Sequence, residues 1–133
     1  MFLLDASVWV ALAKPGDEYH DVVEALVDSP QPVTALDLTL FEVANVVGAR
    51  MGKPQKARQL SRLIVKRCGD DLKRIDLELS DGAIALAVQH GLTAYDAAYV
   101  AAARRFGWAL VSADIRDLVS KGLAVTPDAA VYP

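Results

Sequence analysis

The chain has 133 residues, 53 % hydrophobic and 23 % charged, a composition that excludes a disordered or collagen-like protein. Its length fits one domain over residues 1–133. Acidic residues outnumber basic ones by 17 to 14, and the net charge of −3 argues, as an average, against nucleic-acid binding. Cys68 is the only cysteine, which favours a reducing, cytoplasmic location. Residues 82–95, the longest stretch without Asp, Glu, Lys or Arg, fall short of the roughly 20 residues of a membrane-spanning helix, so we expect no membrane segment.

Apolar runs and helical periodicity predict the elements of the first half of the chain. Phe2–Leu4 is a continuous apolar run, the pattern of a strand buried on both faces. A helix from about 7 to 14 follows it and ends at Pro15-Gly16. The remaining elements are separated by prolines and glycines, and they are helices at 17–28, 38–51 and 54–68 and a strand at 32–35.

The second half continues the alternation of strands and helices. The pattern predicts a third strand at Arg74–Leu77, a fourth at Trp108–Ser112 and a last edge strand at 123–125. Helices are predicted at 80–90, 94–106 and 114–121. This alternation indicates the α/β class, with a short, mostly parallel sheet covered on both faces. Ligands of such sheets bind beyond the carboxyl ends of the strands, so polar residues there are the first candidates for a site.

Two aspartates stand at such strand ends. Asp5 follows the first predicted strand and Asp114 follows the fourth, each just before a helix. One interpretation is structural, since Asp at a helix start commonly caps free backbone N–H groups. The other is chemical, because parallel strands bring the side chains at their carboxyl ends to one edge of the sheet.

A third acid lies on an otherwise apolar helix. Glu42, together with Thr39 and Asn45, forms a narrow polar stripe in the helix predicted at 38–51. Thr39 and Glu42 also fit a capping box, which is the structural alternative. That alternative does not explain why Asn45 extends the stripe by another turn.

The fourth acid, Asp96, is the only charged residue over 94–103, although Thr93 with Asp96 again fits a capping box. A buried carboxylate is costly unless it is paired or bound to a metal. If the four acids meet, they repel one another unless cations are bound, and oxygen-only ligands suit Mg²⁺ or Mn²⁺ better than Zn²⁺. Such metals would turn water into hydroxide and stabilise a leaving oxygen, which is the chemistry of phosphodiester hydrolysis.

Four short motifs occur in one order: Asp5-Ala6-Ser7, Phe41-Glu42-Val43-Ala44-Asn45, Leu92-Thr93-Ala94-Tyr95-Asp96-Ala97-Ala98-Tyr99 and Leu110-Val111-Ser112-Ala113-Asp114. In order, spacing and total length they resemble the PIN-domain nucleases, most of all the VapC toxins of type II toxin–antitoxin systems. The resemblance covers essentially the whole chain. It implies a three-layer α/β/α sandwich and a Mg²⁺- or Mn²⁺-dependent endoribonuclease, usually dimeric, that is neutralised by a small VapB-like antitoxin.

The resemblance also implies roles for individual residues. The acidic quartet of the family maps onto four positions that would be catalytic and metal-binding, namely Asp5, Glu42, Asp96 and Asp114. The hydroxyl that follows the first acid maps onto Ser7, and Ser112 stands where many relatives have Thr. We expect Asn45 to orient Glu42. Asp117, one turn beyond Asp114, is either a supporting acid or a helix-start charge.

Basic residues concentrate in one segment. Residues 50–74 hold nine Lys or Arg and two acids, so the acidic average conceals a basic arm. Arg58, Arg62 and Lys66 recur every four residues, opposite the apolar face of the helix at 54–68. They form either a solvated face or a track for RNA phosphates, in which case affinity would fall steeply with salt.

Other functions stay open at this point. A non-catalytic PIN-like interaction module would use the basic helix to bind a partner, and a PIN nuclease of RNA processing would need no antitoxin. A phosphoacceptor domain would want an adjacent acid pair after an early strand, whereas this chain has Asp5-Ala6. For an antitoxin helix, the helices near Trp9 and Tyr19 offer a predicted groove.

Overall fold

The computed structural model describes residues 1–133, built around three short parallel strands. The strands are β1 (Phe2–Leu4), β2 (Val33–Thr34) and β3 (Ala109–Val111), in the order β2-β1-β3. Successive side chains of β1 point to opposite faces, so Leu3 enters one apolar core and Leu4 the other. Both faces of the sheet are therefore covered.

Helices form the two outer layers. Their bounds are α1 (Ala6–Ala11), α2 (His20–Asp28), α3 (Asp37–Val43), α4 (Pro54–Cys68), α5 (Leu77–His90), α6 (Ala94–Phe106) and α7 (Pro127–Val131). Residues of α1, α2 and α4 fill the core on one side of the sheet, and residues of α5 and α6 fill the core on the other. The predicted three-layer α/β/α sandwich with a parallel sheet is confirmed.

The prediction of a third strand at Arg74–Leu77 is wrong. Lys73 forms a single parallel bridge to Leu36, and Leu77 begins α5 instead of ending a strand. The reason is the N-cap residue Asp76, whose carboxylate accepts a hydrogen bond from the Leu79 N–H at 2.8 Å. The local cap therefore overrides the strand propensity of the preceding residues.

Other boundaries also differ from the prediction. The helix expected at 38–51 is α3 followed by a π-helical segment, Ala44–Arg50, and the helix expected at 114–121 is a π-helical segment, Ile115–Val119. The edge strand expected at 123–125 is reduced to one bridge between Val125 and Val111. Helix α7 was not predicted.

Trp9 and Arg67 have structural roles that the sequence pattern did not indicate. Trp9 is fully buried and donates its indole N–H to the Leu4 carbonyl, so it does not line the groove predicted near it. Arg67 donates three hydrogen bonds to the carbonyls of Val27, Ser29 and Gln31. This member of the basic segment therefore holds the end of α2. None of the helices is both long and apolar enough to cross a membrane.

Candidate active site

A cleft of about 370 Å³ opens beyond the carboxyl ends of β1 and β3. Because β1 and β3 are neighbours, the residues that follow them reach the same edge of the sheet. Helices α3 and α6 close the cleft from the side. The cleft is lined by four acids that the sequence singled out, Asp5, Glu42, Asp96 and Asp114.

Asp5 is the most buried of these acids, with 4 % of its surface exposed. It is the N-cap of α1, where its carboxylate accepts a hydrogen bond from the Val8 N–H at 3.3 Å and one from the Ser7 hydroxyl at 2.5 Å. Burial raises the pKa of Asp5 to about 6, against the opposing effect of the Ser112 and Ser7 hydroxyls. Asp5 is therefore both the N-cap of α1 and a residue of the cleft.

Two serines fix the loops after β1 and β3 relative to each other. The Ser7 hydroxyl accepts a hydrogen bond from the Ala113 N–H at 2.9 Å, and its oxygen lies 3.4 Å from that of Ser112. Ser112, which is fully buried, accepts from the Asp114 N–H at 3.0 Å. Both serines therefore link the backbone that carries one acid to the backbone that carries the other.

Three carboxylates lie close together, and two of them line the cleft. Oxygens of Asp96, Asp114 and Asp117 all lie within 4.8 Å of one another. Burial raises the pKa of Asp96, and the nearby charges of Asp114 and Asp117 raise it further. Asp117 thus joins the acids predicted from the sequence, while its N–H donates to Asp114, the N-cap of the π-helical segment, at 2.9 Å.

Glu42 reaches the cleft from α3, and its hydrogen-bond donor is Tyr99. The Tyr99 hydroxyl donates to Glu42 Oε1 at 2.7 Å. Burial raises the pKa of Glu42, the bond from Tyr99 opposes that rise, and the charge of Asp96 adds to it. A Thr39–Glu42 capping box is absent, because Thr39 accepts a hydrogen bond from Leu36, the actual N-cap of α3. Asn45 is exposed, and the side chain that hydrogen-bonds Glu42 is Tyr99 instead.

The predicted basic track lies outside the cleft. Arg58, Arg62 and Lys66 are exposed on α4, and none of them is among the residues that line the cleft. The one cation in the lining is Lys14, beyond the end of α1, which the sequence did not single out. Lys14 directly precedes Pro15-Gly16, and nothing in that local sequence indicates that it lines the cleft.

The donor set of the cleft is made of oxygen. Carboxylates dominate, hydroxyls support them, and the lining includes no histidine or cysteine. Buried carboxylates with raised pKa values, such as those of Asp5 and Asp96, gain from a bound positive charge, and oxygen ligands suit hard divalent cations. The acidic group could therefore hold a divalent metal ion.

Comparison with known proteins agrees with this geometry. The family model described as PIN domain matches residues 2–121. Ribonuclease VapC3 of Pyrobaculum aerophilum is 34 % identical over 130 residues, which cover 94 % of this chain and 98 % of that protein. Exonuclease VapC9 of the same organism is 31 % identical over 122 residues, or 90 % of this chain and 84 % of that protein. The chain belongs to the PIN-domain family.

Solved structures have the same fold. The Mycobacterium tuberculosis toxin VapC20, described as cleaving the sarcin-ricin loop, has a TM-score of 0.75 at 22 % identity and covers 92 % of this chain and 95 % of its own. A toxin–antitoxin complex from Klebsiella pneumoniae has a TM-score of 0.68 at 20 % identity, covering 96 % and 98 %. The predicted resemblance to VapC-type members of the family is confirmed.

Proposed function

We propose that this chain is a VapC-type toxin, a divalent-metal-dependent endoribonuclease of a toxin–antitoxin pair. The observation that carries the proposal is the meeting of Asp5, Glu42, Asp96 and Asp114 in one cleft at the end of a parallel sheet. The names of the VapC relatives support the choice of RNA as substrate. A non-catalytic module would have no use for this cluster, in which the charge of Asp96 raises the pKa of both Asp5 and Glu42.

The residues of the cleft would have different roles in the reaction. Asp5, Asp96, Asp114 and Glu42 would bind one or two Mg²⁺ or Mn²⁺ ions through their carboxylates. When bound, such a metal supplies a nucleophilic hydroxide and stabilises the leaving oxygen of the phosphodiester. Ser7 and Ser112 hold the two strand-end loops in register, so that the acids keep their spacing. Lys14 offers a positive charge to a phosphate entering the cleft.

The remaining parts of the proposal concern partners and location. An antitoxin partner is supported by the toxin–antitoxin complex among the structural neighbours. A homodimer and a cytoplasmic location stay predictions, the first from the family resemblance and the second from the lone, buried and unpaired Cys68. Arg58, Arg62 and Lys66 stay a predicted track for RNA, because their exposed charges on α4 are free to meet phosphates.

A cleavage assay tests the proposed reaction. Labelled structured RNA, in linear and in circular form, is incubated with the protein in Mg²⁺, in Mn²⁺ and in EDTA, beside the variant Asp96→Asn. We expect cleavage of both RNA forms with metal and none with EDTA or with the variant. Serine substitution of the unpaired, buried Cys68 serves as a matched control that leaves the cleft intact.

Each alternative has its own outcome. Cleavage of linear RNA alone would make the protein an exonuclease, the activity named for one relative. Absence of cleavage in every condition would favour a binding module. Cleavage in EDTA, or by Asp96→Asn at the wild-type rate, would contradict the proposed mechanism.

A further inference from the structure

A buried chain of hydroxyls leads from the backbone of α3 to the cleft. Tyr99 lies on α6, one turn after Asp96, and only 1 % of it is exposed. Its hydroxyl oxygen lies 2.7 Å from Glu42 Oε1 and 2.8 Å from Thr39 Oγ1. Thr39, which is fully buried, in turn accepts from the Leu36 N–H at 3.2 Å.

The direction of this chain is determined by its two ends. The Leu36 N–H only donates, so Thr39 Oγ1 is its acceptor. The ionised Glu42 carboxylate only accepts, so the single Tyr99 hydrogen goes to Glu42. The Thr39 hydrogen is then left for the Tyr99 oxygen. Every member is satisfied, and the order of donors admits one arrangement.

We propose that Tyr99 and Thr39 are positioning residues, which hold the Glu42 carboxylate through Oε1 and would leave Oε2 available to bind a metal ion. This inference rests on the proposed function, since it assigns Glu42 a ligand role. It replaces the predicted partner Asn45 by a side chain from the helix that carries Asp96. The bond therefore also fixes the spacing between α3 and α6 at the cleft.

The burial of Tyr99 supports a positioning role for its hydroxyl. Tyr99 is a member of the buried apolar cluster on this side of the sheet, together with Ala97, Ala98, Ala101 and Ala102 of the same helix. A phenylalanine ring would fill the same space without a polar group that needs partners. The hydroxyl is retained in an apolar core, and both of its partners, Thr39 and Glu42, lie on α3.

Manganese binding followed by electron paramagnetic resonance tests the role without relying on activity. The variants are Tyr99→Phe and Thr39→Val, which remove a hydroxyl, with Thr39→Ser, which retains one. Loss of a group that orients a metal ligand weakens metal binding by about tenfold or more, and we expect that loss from the first two variants only. Tyr132→Phe, which removes an exposed hydroxyl in the C-terminal segment, is the matched control.

A double-mutant cycle separates positioning from general destabilisation. If Tyr99 acts through Glu42, adding Tyr99→Phe to Glu42→Ala causes no further loss of Mn²⁺ affinity. An equal loss in both backgrounds would overturn the inference, as would wild-type affinity in Tyr99→Phe and Thr39→Val.

Measurements of Mn²⁺ binding distinguish failure of the proposed function from failure of this inference. If the wild-type protein binds no Mn²⁺, the proposed function and this inference fail together. If it binds Mn²⁺ and Asp96→Asn abolishes binding while the hydroxyl variants bind normally, only the inference fails. Should Tyr99→Phe not fold, as judged by circular dichroism, the comparison of Thr39→Val with Thr39→Ser decides.

Discussion

Asp5 is predicted to weaken the fold of the metal-free protein near neutral pH. Its pKa of about 6 in the folded chain exceeds the ordinary value of 3.8, mainly because the carboxylate is buried. Between these two values the folded chain binds more protons at Asp5 than the unfolded chain does. The stability that Asp5 contributes is thus fully present below pH 3.8 and is lost as the pH rises through about 6.

The size of the effect follows from the shift. The pKa of Asp5 rises from 3.8 to about 6, and each pKa unit corresponds to about 1.4 kcal/mol. Keeping the ionised Asp5 buried therefore lowers the free energy of unfolding by about 3 kcal/mol at pH 7.5. The variant Asp5→Asn removes the buried charge and keeps an oxygen that can accept from the Val8 N–H. Part of the gain is offset because the new NH₂ group needs acceptors. We expect the free energy of unfolding to rise by about 2 kcal/mol at pH 7.5.

Urea unfolding in EDTA measures this difference at pH 7.5 and pH 4.5. The advantage of Asp5→Asn over wild type should shrink to below about 1 kcal/mol at the lower pH, because Asp5 is then largely protonated in the folded chain. The variant should also lose Mn²⁺ binding. A less stable variant at pH 7.5, or an advantage that does not change with pH, would refute the argument from burial.

Three further predictions concern the metal, the end of α2 and the basic helix. Mn²⁺ at 100 times its dissociation constant should stabilise the wild type by about 2.7 kcal/mol in thermal unfolding, and the shift should be absent in Asp96→Asn. Arg67→Met should lower the unfolding free energy by about 3 kcal/mol in urea, because three carbonyls lose a charged donor; a change below 1 kcal/mol would contradict the capping role. Replacing Arg58, Arg62 and Lys66 together by Gln should reduce the slope of log affinity for single-stranded RNA against log salt by about 2, with Mn²⁺ binding unchanged. An unchanged slope would favour the solvated-face interpretation.

The sequence predicted the acids of the cleft because each stands out against an apolar background. Asp5 and Asp114 follow buried strands, and the parallel topology alone is enough to bring them to one edge. Glu42 and Asp96 are single charged residues within apolar stretches of sequence, 38–44 and 94–103. For these four acids, the local sequence pattern was therefore enough to identify residues that line the cleft.

The parts that were missed depend on contacts between distant segments. The pairing of Tyr99 with Glu42 joins residues 57 positions apart, and the sequence offers Asn45 as a nearer candidate. Arg67 directly follows Lys66 in the basic segment, and only the packing of α4 against the end of α2 lets its guanidinium bind the carbonyls there. The strand expected at 74–77 failed because the Asp76 cap and its ion pair with Arg105 favour the start of α5.

Anomalous diffraction from a crystal grown with Mn²⁺ at pH 7.5 shows whether the acidic cleft holds the catalytic metal. We expect a manganese peak within about 2.5 Å of oxygens from Asp5, Asp96 and Asp114, in the cleft beyond β1 and β3. Manganese bound elsewhere on the chain, with this cleft empty, in crystals of a protein that cleaves RNA would contradict the proposed metal site.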